Sequence, residues 1–208
     1  MLSIILAAGW PIWPLVASSV VALAIVIERY LSLTDAKIAP SGLAKAVIAS
    51  LQDGLPAQDA IAQLERNSLL GMVLASALRL RSVHPLAPDA DVRAALHLAG
   101  RLAVQTLEMR LTALATIASA APLMGLLGTV VGLIEIFGAQ TPGAVASNPA
   151  QLAQGISIAL YNTAFGLIVA IPALVFWRYF RARADAYLLH LESAADELLR
   201  RLRAMEAA

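Results

Sequence analysis

The chain contains no cysteine. A disulfide framework and a thiolate metal site are therefore both excluded. The histidines His84, His97 and His190 have no metal-ligand spacing, so neither a metal nor another cofactor is expected. No nucleophile elbow, triad or zincin motif occurs, and the sequence does not read as an enzyme. Positive charge is missing from two long stretches, residues 1–28 and 111–177. Where bases do occur, acids match them. Residues 28–110 hold eight acids (Glu28, Asp35, Asp53, Asp59, Glu65, Asp89, Asp91, Glu108) against nine bases. No basic stripe of the kind that binds a phosphate backbone results, and nucleic acid is not an expected partner.

Apolar residues are abundant. The 208 residues are 60% hydrophobic with a mean hydropathy of +0.76, too apolar for an ordinary soluble domain. Three runs, over residues 1–27, 111–134 and 155–177, each exceed the roughly 20 residues that a spanning helix needs. All fifteen Lys and Arg fall within residues 29–110 or 178–203. Bases mark the cytoplasmic side of membrane proteins. The expected fold is all-α, with three transmembrane helices and long helices extending into the cytoplasm. Residues 1–30 form a periplasmic N-terminus and the first span, and 31–110 a cytoplasmic helical loop. The second span covers 111–137, a short periplasmic turn 138–154, the third span 155–177, and a cytoplasmic helical tail 178–208. Residues 1–9 lack the charged start of a signal peptide, so the first run is read as a retained span; cleavage after Ala7-Ala8 is the alternative.

Local signals fill in this outline. Trp10 and Trp13 suit an interfacial aromatic belt, and Pro11 and Pro14 suit a first helical turn. Breaks are expected at Pro40-Ser41-Gly42 and Asp53-Gly54-Leu55-Pro56, and a turn from His84 to Asp89. Residues 60–80 read as one helix with Gly71 inside it. Asp89 or Asp91 is the candidate cap of a helix that runs unbroken from about Ala90 into the second span. The acids Glu192, Asp196 and Glu197 beside Arg200, Arg201 and Arg203 read as a solvated face with i,i+4 pairs.

The second span contains Pro122, Gly125, Gly128, Thr129 and Gly132; the third contains Thr163, Gly166 and Pro172. The glycines permit close approach of helix backbones. They support dense packing of the second and third spans, and helix contact in a homo-oligomer. Gly166 and Ala170 keep one face of the third span small enough to border a pore next to Thr163.

The strings Ala121-Pro122-Leu-Met-Gly125-Leu-Leu-Gly128-Thr129-Val-Val-Gly132 and Gly155-Ile-Ser-Ile-Ala-Leu-Tyr-Asn-Thr163-Ala-Phe-Gly166-Leu-Ile-Val-Ala-Ile-Pro172-Ala resemble the ExbB/TolQ/MotA proton-channel family, closest to its ExbB/TolQ branch. The resemblance implies an inner-membrane stator and channel subunit driven by the proton motive force. It implies a pentamer around a single-span ExbD/TolR-like partner and force transfer to a TonB- or TolA-like protein. ExbB-type energising of outer-membrane import is the leading reading; TolQ-type envelope maintenance and a non-conducting scaffold are the alternatives. Thr129 and Thr163 match the family's pore threonines, and Pro122 and Pro172 its span prolines. The glutamate that well-known members carry five residues before the second threonine is here Ile158, which holds no proton. Glu135, near the outer end of the second span, is the chain's own acid there. It reads either as an interfacial carboxylate or as a residue of ion entry or partner contact. Six residues place it roughly 9 Å of rise and about 120° of rotation from Thr129.

Overall fold

A computed structural model describes residues 9–138 and 149–206. Among the described residues the regular structure is helical and no strand occurs. Helix α1 is Ile12–Ser32, α2 Asp35–Ile38 and α3 Leu43–Ser50, followed by a 3-10 turn at Leu51–Asp53. Then come α4 Gln58–Asn67, α5 Leu69–Val83, α6 Asp89–Glu108, α7 Leu111–Gly138 and α8 Pro149–Glu206. Three helical stretches, Ile12–Ser32, Asp89–Gly138 and Leu152–Met205, are long and apolar enough to cross a membrane. The Ala7-Ala8 pair and residues 139–148 of the expected outer turn lie outside the described residues. Helix α8 is already formed at Pro149, ahead of the third apolar run.

The chain divides into two compact units, Met1–Glu28 with Arg110–Tyr179, and Arg29–Met109 with Phe180–Ala208. In the first unit Leu15, Ala121, Val169 and Ala170 are buried together, with Ile117, Met124 and Phe165 packed against them. Large apolar side chains such as Leu23, Leu126, Ile134, Ile168 and Val175 point outward, as lipid-facing helices require. Trp10 and Trp13 are also exposed.

The second unit is a helical bundle with a conventional core. Leu74, Leu78, Val92, Ala103, Leu191 and Leu198 are all buried in it. The breaks after α2 and α3 and the turn before α6 fall where Pro and Gly predict them.

Three local expectations are corrected here. Residues 60–80 are two helices, because Ser68 leaves the helical region (φ −163°, ψ 163°) and its hydroxyl accepts the Gly71 N–H at 3.0 Å. That hydrogen bond starts α5 afresh. Neither Asp89 nor Asp91 caps α6; the cap position is Pro88, with no side-chain bond. Asp89 instead accepts from Arg81 (3.1 Å) and from Arg203 (2.6 Å), so Arg203 pairs across the unit and not along its own helix. Arg81 is buried and also donates to the carbonyls of Pro85 and Ala87, which fixes the turn. Third, the helix entering the second span is interrupted at Met109-Arg110. Buried Arg29 donates to the carbonyls of Thr106 (3.5 Å) and Leu107 (3.0 Å). Those are the carbonyls that the next helical turn would use, so the guanidinium ends α6 there.

Candidate ion pathway

Helices α7 and α8 approach along a seam of small residues. A Cβ built on Gly125 would lie 2.7 Å from the Asn162 carbonyl oxygen and 3.0 Å from Thr163 Cα. One on Gly166 would lie 2.7 Å from the Ala121 carbonyl oxygen and 3.1 Å from Gly125 Cα. Further along, Gly128 faces the Asn162 side chain at 2.8 Å and Gly132 faces Ala159 Cβ at 3.0 Å. Ala121 meets Gly166, Gly125 meets Asn162 and Gly132 meets Ala159, so the pair is antiparallel. The glycines thus pack the second and third spans of one chain against each other. Their close approach is complete within the chain and does not itself call for a second copy. The small face beyond Thr163 is also occupied: Gly166 meets α7 and Ala170 is buried beside Leu15 and Ala121.

The two threonines meet within this seam. Thr129 is buried and Thr163 half-buried, and their hydroxyls contact each other. The Thr129 hydroxyl is also within reach of the Gly125 carbonyl (3.2 Å) and the Ala159 carbonyl (3.3 Å). The Thr163 hydroxyl reaches the same Gly125 carbonyl at 3.3 Å. Each hydroxyl has one proton to donate. If Thr163 donates to Thr129, Thr129 donates to a carbonyl; if Thr129 donates to Thr163, Thr163 donates to Gly125. Both arrangements satisfy both donors without a buried charge.

Other expected site residues stand apart from that pair. Glu135 is exposed on α7 and outside the hydroxyl cluster. Pro122 is half-buried and Pro172 exposed, and α7 and α8 continue through them. Ile158 is half-buried. Sequence reasoning missed Asn162, which is only 1% exposed and whose side chain fills the space over Gly128. An amide inside an apolar span was the available signal. The role of the Gly125 carbonyl as a shared acceptor had no sequence signal, because a main-chain atom carries none.

Comparison with known proteins bears on the chain as a whole. The profile of the MotA/TolQ/ExbB proton channel family matches residues 65–193, which include both threonines. A Synechocystis sp. protein named as an ExbB-like biopolymer transport protein (ExbB-like 3) is 34% identical over 172 residues, covering 81% of this chain and 79% of that protein. The Tol-Pal system protein TolQ of Haemophilus influenzae is 40% identical over 111 residues, 52% of this chain and 48% of its own length. The biopolymer transport protein ExbB of Salmonella typhimurium is 41% identical over 88 residues, 41% and 35% of the two chains. The chain spans about half of that TolQ and about a third of that ExbB. A family match over more than half of the chain, on helices apolar enough to cross a bilayer, makes this chain a member of the MotA/TolQ/ExbB proton channel family.

Proposed function

We propose that the protein is an inner-membrane stator and channel subunit that couples proton flow to work, of the ExbB-ExbD-TonB type. Its N-terminus is periplasmic and its C-terminus cytoplasmic, and it forms a pentamer. Its partners are a single-span ExbD/TolR-like protein, whose span aspartate carries the proton, and a TonB- or TolA-like protein that receives the motion. The observation that supports this best is the meeting of the Thr129 and Thr163 hydroxyls inside the apolar unit. Hydroxyls offer a proton path hydrogen-bonding groups without the insertion cost of a charge, about 2.5 kcal/mol or more at a span centre. Glu135, exposed beyond the pair, serves ion entry or partner contact. The ExbB-type role, energising outer-membrane import, is favoured because the ExbB-like relative matches over 81% of the chain. TolQ-type envelope maintenance is the second reading, supported by 40% identity to a TolQ over half of the chain.

Thr163→Val keeps the side-chain shape and removes the hydroxyl. The variant is expected to assemble normally and lose proton-dependent activity, measured on one preparation reconstituted with its partner. Full assembly with full activity would remove Thr163 from the pathway. Proton flux in the wild-type complex separates conduction from a scaffold that carries no ions. Glu135→Gln in the same assay is expected to reduce activity only in part.

A further inference from the structure

Thr129 and Asn162 are the polar side chains buried in the first unit among the described residues, and Asn162 is the more deeply buried of the two. The Asn162 side chain lies over Gly128. A Cβ built on that glycine would be 2.8 Å from Asn162 Cβ and Cγ and 3.0 Å from Nδ2. Each of these two residues directly precedes a threonine of the pair, Gly128 before Thr129 and Asn162 before Thr163. The amide is not without a partner. Space filling does not explain it, since an apolar side chain would fill the same volume without the cost of burying polar atoms.

The seam around Asn162 does not fix its own alignment. Small residues recur at about one turn on both helices, as Gly125, Gly128 and Gly132 on α7 and Gly155, Ala159 and Gly166 on α8. Sliding α8 by one turn, about 5.4 Å, brings small residues opposite small residues again. Asn162 and Thr163 would then stand against Gly132 and Leu133, or against Met124 and Gly125. The threonines tolerate such a slip. The Thr129 hydroxyl already reaches the Gly125 carbonyl on its own helix at 3.2 Å, and Thr163 has the same recourse to Ala159. An amide has two donors and an acceptor, more than its own helical turn takes up. Of the three residues, Asn162 loses most by a slip.

We infer that Asn162 is a positioning residue: its buried amide selects the one register of α7 and α8 in which the Thr129 and Thr163 hydroxyls meet. A single buried asparagine sets register in the same way between coiled-coil helices, at a cost in stability. The register itself stands on packing. Its bearing on activity rests on the reading of the two threonines as a proton path.

The absence of cysteine lets register be read by disulfides. A Cβ built on Gly155 lies 2.9 Å from Ile136 Cγ1 and Cδ1 and 3.6 Å from Cγ2, so Gly155→Cys with Ile136→Cys suits the native register. Ala159→Cys with Ile136→Cys suits a slip of one turn, because Ala159 faces α7 one turn on from Gly155. Each pair is oxidised in native membranes, with Asn162 in place and with Asn162→Leu or Asn162→Ala. An intrachain bond is read as a monomer that a maleimide reagent no longer labels. With Asn162 in place, the native pair is expected to close and the slipped pair to stay open. In both variants the native pair is expected to lose yield and the slipped pair to gain it. Closure of both pairs with Asn162 in place overturns the inference, as do variants that close the native pair alone and in full. Variants in which neither pair closes overturn it too, since Asn162 would then be needed for the packing itself. Without the cysteines, both variants are expected to lose proton-dependent activity when reconstituted with the partner. Full activity beside a mixed register, with Thr163→Val inactive, overturns the positioning role. Full activity of Thr163→Val in the same assay would instead remove the proton-path reading and leave the register result standing.

Discussion

The Thr163 hydroxyl lies 3.3 Å from the carbonyl oxygen of Gly125, on the facing helix. A threonine in a span ordinarily satisfies itself on its own helix, as Thr129 does in reaching Gly125 four residues back. Thr163 bonds across the seam. Its removal therefore touches helix packing as well as any proton path, and interhelical hydrogen bonds in membranes average about 0.6 kcal/mol with a maximum near 1.7. Thr163→Ser, which keeps the hydroxyl, is the control that separates the two effects.

The seam makes a sharp distinction among glycines. Gly125→Ala and Gly166→Ala each drive a Cβ into backbone atoms of the facing helix, which cannot rotate away. Both are expected to destabilise the apolar unit by about 1–3 kcal/mol. Gly138→Ala meets no atom within 4 Å and is expected to be close to neutral. Thermal unfolding in one detergent ranks the three; equal behaviour would contradict the seam.

The Ser68 hydroxyl caps α5 by accepting from the Gly71 N–H. Ser68→Ala is expected to cost about 1 kcal/mol of stability. Asp91→Ala, on a residue with no capping role, is expected to change stability by less than about 0.5 kcal/mol. Denaturant unfolding of the two variants checks both values.

Tyr187 sits outside the spans in a cluster with Asp35 and Arg183. Its hydroxyl hydrogen-bonds to Asp35 and accepts from Arg183 at 2.8 Å. Burial, and then the bond to Asp35, raise its pKa above the ordinary 10.0, more than Arg183 lowers it. A raised folded-state pKa adds stability that is fully present below pH 10 and is lost as the pH rises through the folded value. Stability measured into the alkaline range should therefore fall more steeply in the wild type than in Tyr187→Phe. Parallel curves would count against the cluster.

Orientation is tested by labelling. A cysteine at Ser147 should react with an impermeant thiol reagent applied from the periplasmic side, and one at Ser50 or Ser193 should not. The reverse pattern would invert the proposed topology.

The spans were legible because lipid exposure demands unbroken apolar runs and because charge segregates in the sequence. The Pro and Gly breaks in the second unit were legible for a similarly local reason. What could not be read were contacts set by distant partners. Arg29 ends α6 from 77 residues away, as measured to Thr106, and Asp89 turns from the cap position to Arg81 and Arg203. The same holds for the site. Both threonines and the seam glycines were visible as residue types at helical spacing. Their union at a single carbonyl depends on how two antiparallel helices register.

Arg29 and Arg81 are each only 4% exposed in the folded chain. Both belong to the set of bases from which orientation is read. A side chain withdrawn into a protein interior cannot feel the membrane surface, so these two can influence orientation only before the second unit has folded. Afterwards the same guanidinium of Arg29 holds the end of a helix.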